Sequence, residues 1–421
     1  MTLYSQIKEY LMGKYDFRYN VITNNVEISV KKKDKFTPMK EANIIEELFE
    51  EGWTAFALQF KVMVASESVA PPYNPIDNYF DNLPKYHVNG KKDYIKELLS
   101  FITLADESKR AFFEEQFTKW IARAVACARG SLKVNKQCFT LIGKQNDGKT
   151  SFFRYLVPKT LAEFYAENVN VQKNDGEFML TQSFLINWDE MAQFSKYEVS
   201  AIKTFMTKEN VRQRRPYATK AEMFRRICSF VASTNEEEIL SDHTGNSRFL
   251  CFKIDAIKHD NGGKNGYCAI DMDNVYAQVI HLLNDKNFNM QMNNADMKIL
   301  ESENLNYKKI TNEGELIARH LVPHNFPTDK EYPILHLQAT RLLSRLFLTY
   351  PEYKTLSSVV LGKELSAQKF EKIQKKNEVG VNTWYWAGKL IKPFRELTID
   401  GQDEDLATDE PQTEPDDSLP F

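Results

Sequence analysis

The chain has 421 residues, 42% of them apolar and 27% charged. That length allows two or three domains with a sizeable core, and the composition excludes a fibrous or wholly disordered protein. No apolar run approaches the 18 residues of a membrane span. The charge-interrupted N-terminus MTLYSQIKEYLMGKYDFR does not read as a secretory signal.

The five cysteines (Cys127, Cys138, Cys228, Cys251 and Cys268) form no C-x-x-C pair. They read as reduced core residues of a cytoplasmic protein. The net charge of −3 is unevenly spread: residues 400–421 hold nine acids and no base, leaving the body at +6. A basic body suits a nucleic-acid partner.

Residues 1–75 read as a small α/β unit. Helical spacing covers Tyr4 to Met12, and two alternating runs around Asn24-Asn25 predict a hairpin from Phe17 to Ile28. Further helices are expected over Ile44–Leu48 and Thr54–Ser66. Pro71-Pro72-Tyr73-Asn74-Pro75 marks a boundary. Residues 76–135 read as a helical, collar-like region, with helices over Tyr94–Leu104 and Lys109–Arg129. Phe112, Phe113, Phe117, Trp120 and Ile121 suit a helix core better than a base-stacking surface.

Residues 136–256 carry the chemistry. The apolar run Cys138–Ile142 leads into Gly143-Lys144-Gln145-Asn146-Asp147-Gly148-Lys149-Thr150-Ser151 and an apolar helical stretch. This is a full G-x-x-x-x-G-K-[ST] match with strand before and helix after, the context of a P-loop. Backbone N–H groups in such a loop surround phosphate oxygens. Lys149 is assigned to the β- and γ-phosphates and Thr150 to Mg²⁺. About 40 residues on, Ser183–Trp188 reads as a strand ending in Asp189-Glu190. Asp189 is assigned to Mg²⁺ and Glu190 to the attacking water.

Ile227–Thr234 is another apolar strand, ending at Asn235, a candidate sensor of the γ-phosphate. Arg248 stands just before the apolar run Phe249–Ile254, where an arginine finger would act on a neighbouring subunit's nucleotide.

The four stations GKQNDGKT, LINWDE, FVASTN and TGNSRF resemble the superfamily 3 helicases, a branch of the AAA+ ATPases. The likeness is nearest to the virulence-associated protein E-like ATPases of mobile elements and phages. It covers about residues 70–256. The resemblance implies a ring, usually a hexamer, with ATP sites between subunits and single-stranded DNA in the pore. It also implies replication of a mobile element in a bacterial or phage-infected cell, often beside a primase. Two departures stand out. Asn146-Asp147 stands where the family usually has glycine and a small or apolar residue, and Ser247 stands where a second arginine is expected.

Between the second and third stations, Phe194–Arg226 holds nine basic and three acidic side chains. A hairpin is expected here, with Ala218–Ala221 at its tip. Lys220, Arg214, Lys203 and Lys208 are the candidate DNA contacts, binding phosphates without reading sequence. A solvated basic face is the competing reading, and Arg214 suits a trans ATP-site role equally well.

Residues 257–325 open with the glycine-rich Asp260–Gly266 loop and continue as a helical connector, with helices over Val275–Leu283 and Ala295–Leu305. Residues 326–396 read as a winged-helix-like domain. Its helices are expected over Ile334–Leu348 and Thr355–Leu361. Ser366–Lys376 is the candidate recognition helix and Val379–Trp386 the wing, docking either DNA or protein. Residues 397–421 form an acidic tail expected to be disordered. Its end, Asp416-Asp417-Ser418-Leu419-Pro420-Phe421, resembles the tip of bacterial single-stranded DNA-binding proteins, which implies recruitment of host replication proteins.

The expectation is therefore an α/β protein: an AAA+ P-loop ATPase core with a helical N-terminal region, a C-terminal winged-helix-like domain and a disordered acidic tail. It would use ATP and Mg²⁺ as a DNA helicase or translocase. A nucleotide-dependent switch or loader and a defence NTPase are the alternatives.

Overall fold

The computed structural model describes residues 2–395, apart from 34, 55, 87–91, 172–173, 191–195, 214–219, 241–245, 261–264, 308–310, 354 and 378–379. The acidic tail and Arg214 lie outside the described residues. The chain divides into two compact units, one reaching to residue 308 without 241–244, the other drawing on residues from 309 onward.

The first unit opens with the helix Leu3–Lys14, capped by the Thr2 side chain on the Ser5 amide. Tyr15–Asn20 and Asn25–Val30 then pair antiparallel, with Asn24 in the left-handed region at φ 57°. That is the expected hairpin, and asparagine is among the few residues that adopt this conformation readily. Pro72–Tyr73 pairs parallel with Tyr19–Asn20, and Pro75 begins a helix capped by Asn74. Pro75 takes the first position of the next helix, where its missing N–H costs nothing.

The centre of the unit is a six-stranded sheet. Its order is Ile102–Leu104, Phe249–Ile257, Cys138–Ile142, Ser229–Thr234, Leu185–Trp188, Tyr165–Glu167. The last five are mutually parallel, and Ile102–Leu104 is antiparallel at the edge. A parallel sheet covered on both faces reads as near-continuous apolar runs. Every residue of Cys138–Ile142, Leu185–Trp188 and Ser229–Thr234 is buried.

Residues 94–104 turn out to be a short helix, Tyr94–Leu99, followed by the edge strand. Pairing with Phe249–Ile257 outweighs the helical spacing there. The helix Arg110–Arg129 buries Phe113, Phe117, Trp120 and Ile121 against Phe139 and Phe252, which makes them core. Four of the cysteines are buried and none is bridged. Among the described residues no helix is long and apolar enough to cross a membrane.

The second unit runs helix, strand, strand, helix, helix, strand, strand: Asn312–His320, Leu321–Pro323, Ile334–Leu337, Ala339–Thr349, Ser358–Ala367, Glu371–Lys376 and Asn382–Leu390. The last strand pairs antiparallel with the other three. The expected recognition helix over Ser366–Lys376 is mostly strand. Lys372, Lys375 and Lys376 sit in Glu371–Lys376, and the helix before it ends at Ala367. Lysine and glutamine favour a helix in isolation, but the ladder to Asn382–Leu390 decides the outcome.

Candidate nucleotide and nucleic-acid site

The glycine loop lies between the central strand and the helix Lys149–Tyr155. Gly148 is at φ 81°, a conformation that suits glycine. At Gly143 an added Cβ would lie 2.7 Å from the Ile254 side chain, so only glycine lets the loop leave the sheet there. The Gly143 amide donates to Thr234 O at 3.1 Å, tying the loop to the end of the neighbouring strand. Asn146, which replaces the expected glycine, is at φ 68°. Asparagine is the substitute that tolerates this backbone best, so the departure keeps the loop's shape.

Lys149 is buried, and its ammonium donates to Gly143 O at 2.8 Å and Lys144 O at 2.5 Å. Burial pushes its pKa down, while the Asp147 and Asp189 carboxylates pull it back up. The Asp147 Oδ2 atom is buried without a hydrogen-bond partner. Thr150 and Asp189, 39 residues apart, meet with Thr150 Oγ1 donating to Asp189 Oδ2 at 3.1 Å. The other oxygen, Oδ1, accepts from Ser233 Oγ at 2.5 Å and from the Glu190 amide at 3.1 Å. The Asp189 amide donates to Asn168 Oδ1 at 3.0 Å. Glu190 is exposed at the strand end, at φ 53°. A non-glycine residue held there carries strain of the kind that collects at functional sites.

The carboxylate strand is not adjacent to the loop strand. Ser229–Thr234 lies between them, which is why Ser233 reaches Asp189. Sequence reasoning quoted Ser233 within FVASTN without giving it a task, and it missed Asn168. A hydroxyl one residue before the end of an apolar strand was the available signal for Ser233. Asn235 is exposed in the turn just after that strand. Arg248 closes a short 3-10 turn directly before Phe249–Ile257 and is partly exposed. Lys144, Gln145 and Asn146 are exposed on the loop, and Ser151 is exposed on the first turn of the helix.

The basic segment divides. Asn210–Gln213 and Glu222–Arg225 pair antiparallel, with Arg212 opposite Met223 and Gln213 opposite Glu222. This is the expected hairpin, and Lys220 is exposed near its tip. Lys203, expected to contact DNA, is instead 8% exposed on its helix and lacks the open face a phosphate contact needs. Lys208 is ion-paired with Glu177. Arg226 is fully buried, its guanidinium bonded to Met206 O, Cys228 O and Asn135 O. Arg225 donates to Cys127 O and Ala128 O at the end of the long helix. Part of the local positive charge therefore satisfies backbone carbonyls.

Together these features define a mixed α/β protein whose central parallel strand opens through a glycine loop onto a helix, beside a hydroxyl-buttressed aspartate. The model of the virulence-associated protein E-like domain matches residues 85–309, more than half of the 421. The chain belongs to that family, as its four stations led one to expect. Among solved structures it is similar to the apo NrS-1 C-terminal region (305–718), at 13% identity and TM-score 0.48, covering 91% of this chain and 98% of that one. It is also similar to a structure described as SCCmec type IV Cch, an active helicase, at 11% identity and TM-score 0.43, covering 88% and 92%. No curated protein matches the chain significantly.

Proposed function

We propose that this protein is an ATP-dependent, superfamily 3-type DNA helicase or translocase that serves the replication of a mobile element or phage. The observation that carries the reading is the convergence of Thr150 and Ser233 on the two oxygens of Asp189, beside the glycine loop and its buried Lys149. These residues fit ATP and Mg²⁺. Thr150 and Asp189 offer the hard oxygen donors that magnesium takes, and a glycine loop that enters a helix at Gly148 is the kind of backbone that cradles phosphates.

Residues 143–151 would hold the triphosphate. Thr150 and Asp189 would hold the metal, which supplies neutralisation of the charge on the β- and γ-phosphates. Lys149 exchanges its two carbonyl partners for phosphate oxygens. Ser233 and the Glu190 amide keep the Asp189 carboxylate aimed. Glu190 accepts a proton from the attacking water and orients it. Asn235 reads the state of the γ-phosphate, and Arg248 serves the site of an adjacent subunit in a ring, expected to be a hexamer. Lys220 at the hairpin tip, with Arg214, tracks the single strand. The strand–helix–helix–strand–strand order after residue 333 supports a winged-helix reading of the second unit, with Ser358–Ala367 as its recognition helix. A primase, and host replication proteins reached through the tail, remain the proposed partners.

The test is ATP hydrolysis with and without single-stranded DNA, for the wild type and Lys149→Ala. The expected result is DNA-stimulated hydrolysis that the substitution abolishes. Lys149-dependent hydrolysis indifferent to DNA would transfer the reading to a nucleotide switch or loader.

A further inference from the structure

The second unit carries an aromatic and basic surface whose tryptophans and lysines no part of the reading above uses. In the antiparallel ladder, Lys372 stands opposite Trp386, Gln374 opposite Trp384 and Lys376 opposite Asn382. Residues directly opposite each other share a face, so both tryptophans and two lysines lie on one side. Trp386 packs onto the unit's core, whereas Trp384, two residues further out, is 53% exposed. The Lys372 ammonium lies 5.3 Å from the Trp384 ring centre and 5.6 Å from that of Trp386. It holds the indoles while keeping its charge at the surface.

An open groove of about 480 Å³ runs along this face, lined by Thr340, Ser358, Val359, Lys372 and the two tryptophans among others. Val359 on the facing helix is 66% exposed. Among the described residues no carboxylate lines the groove. Glu371 sits on the opposite face of the strand, 3.1 Å from His324.

We infer that this face binds single-stranded nucleic acid by stacking bases on Trp384 while Lys372 and Lys376 meet the phosphates. A half-exposed indole between lysines complements a polyanion that also presents flat apolar faces. An unpaired strand is such a partner, whereas a duplex keeps its base faces stacked inside. The inference extends the proposed function by naming a second hold on the strand. It is tested without nucleotide, so its failure is distinct from failure of the ATPase reading.

The experiment measures binding of the full chain to a fluorescent oligo-dT strand and to a hairpin duplex, by anisotropy. The proteins are the wild type, Trp384→Ala, Trp384→Phe and Lys372→Ala, each checked for an unchanged thermal midpoint and oligomer mass. Stacking predicts that Trp384→Ala weakens oligo-dT roughly tenfold. Trp384→Phe should restore most of that loss, and duplex affinity should stay unchanged. Lys372→Ala should also weaken oligo-dT and lower the salt slope by about one. Unchanged oligo-dT affinity in Trp384→Ala, or an equal loss on duplex, would overturn the inference. A fall in oligomer mass on Trp384→Ala would overturn it too, by assigning the face to contacts between copies. Should Trp384→Ala not fold, Trp384→Phe decides alone: tryptophan quenching by oligo-dT should be lost, and undiminished quenching refutes the stacking.

Discussion

Two of this protein's sheets, the six-stranded one of the first unit and the sheet of the second, are built on opposite principles. The six-stranded sheet is parallel apart from its edge strand Ile102–Leu104, and three of its inner strands, Cys138–Ile142, Ser229–Thr234 and Leu185–Trp188, are buried at every position. The sheet of the second unit is antiparallel. Its strand Glu371–Lys376 is exposed at five of six positions. Burial on both faces fixes the strand ends, and the polar residues placed there inherit a rigid frame. The Asp189 carboxylate is held by a hydroxyl from one neighbour and a backbone amide of its own turn. The half-solvated sheet builds no such cluster and presents a surface. A sheet covered by helices suits catalysis, in which atoms are held to fractions of an ångström, and an open sheet suits contact with a long, adaptable partner.

The sharpest way to break this contrast is at Asp189. Asp189→Asn removes the charge that Thr150 and Ser233 converge on. Hydrolysis is expected to fall by roughly a hundredfold or more, the scale seen on losing an electrostatic group from an active site. The sheet should keep its thermal midpoint within a few degrees, because the side chain stands at a strand end. Hydrolysis near wild type would show that the frame serves no metal.

Ser233→Ala is the finer test. It deletes one hydrogen bond to a carboxylate, worth about 1.5–3 kcal/mol. A rise of roughly ten- to a hundredfold in the magnesium concentration for half-maximal activity should follow, with nucleotide affinity measured in chelator little changed. An unchanged magnesium requirement would reduce Ser233 to packing.

The smallest effect belongs to the second unit. His320 is buried, with Nδ1 2.8 Å from Lys392 O, Nε2 3.0 Å from Tyr350 Oη and its ring stacked on Phe394. Burial lowers its pKa below the usual 6.5. As pH falls through 6.5 the unfolded chain takes up a proton that the folded unit resists, so stability is lost on acidification. The slope is at most about 1.4 kcal/mol per pH unit. Urea midpoints at pH 7.5 and 5.5 should differ less in His320→Gln than in the wild type. Equal differences would remove His320 from the account.

Much of the first unit was legible because long-range parallel pairing demands continuous apolar runs, and these are visible in one dimension. Cys138–Ile142, Ser183–Trp188 and Ile227–Thr234 were read that way, and Gly143, Asp189 and Asn235 followed as the residues just beyond them. The antiparallel strand Glu371–Lys376 was read as helix. Its residues are good helix formers, and only the partner strand, six or more residues away, makes them a ladder. The basic segment shows the same limit. Counting charges could not separate exposed Lys220 from Lys203, turned inward on its helix, or from Arg226, spent on backbone carbonyls.

By itself the sequence determined the family, the phosphate loop and the residues that end each buried strand, because local chemistry and apolar periodicity are written in order along the chain. Only the tertiary structure decided that Ser229–Thr234 lies between the loop strand and the acid strand. That order brings Ser233 to Asp189 across 44 residues, and strand order is settled by which faces can be buried together, a property of the folded sheet as a whole.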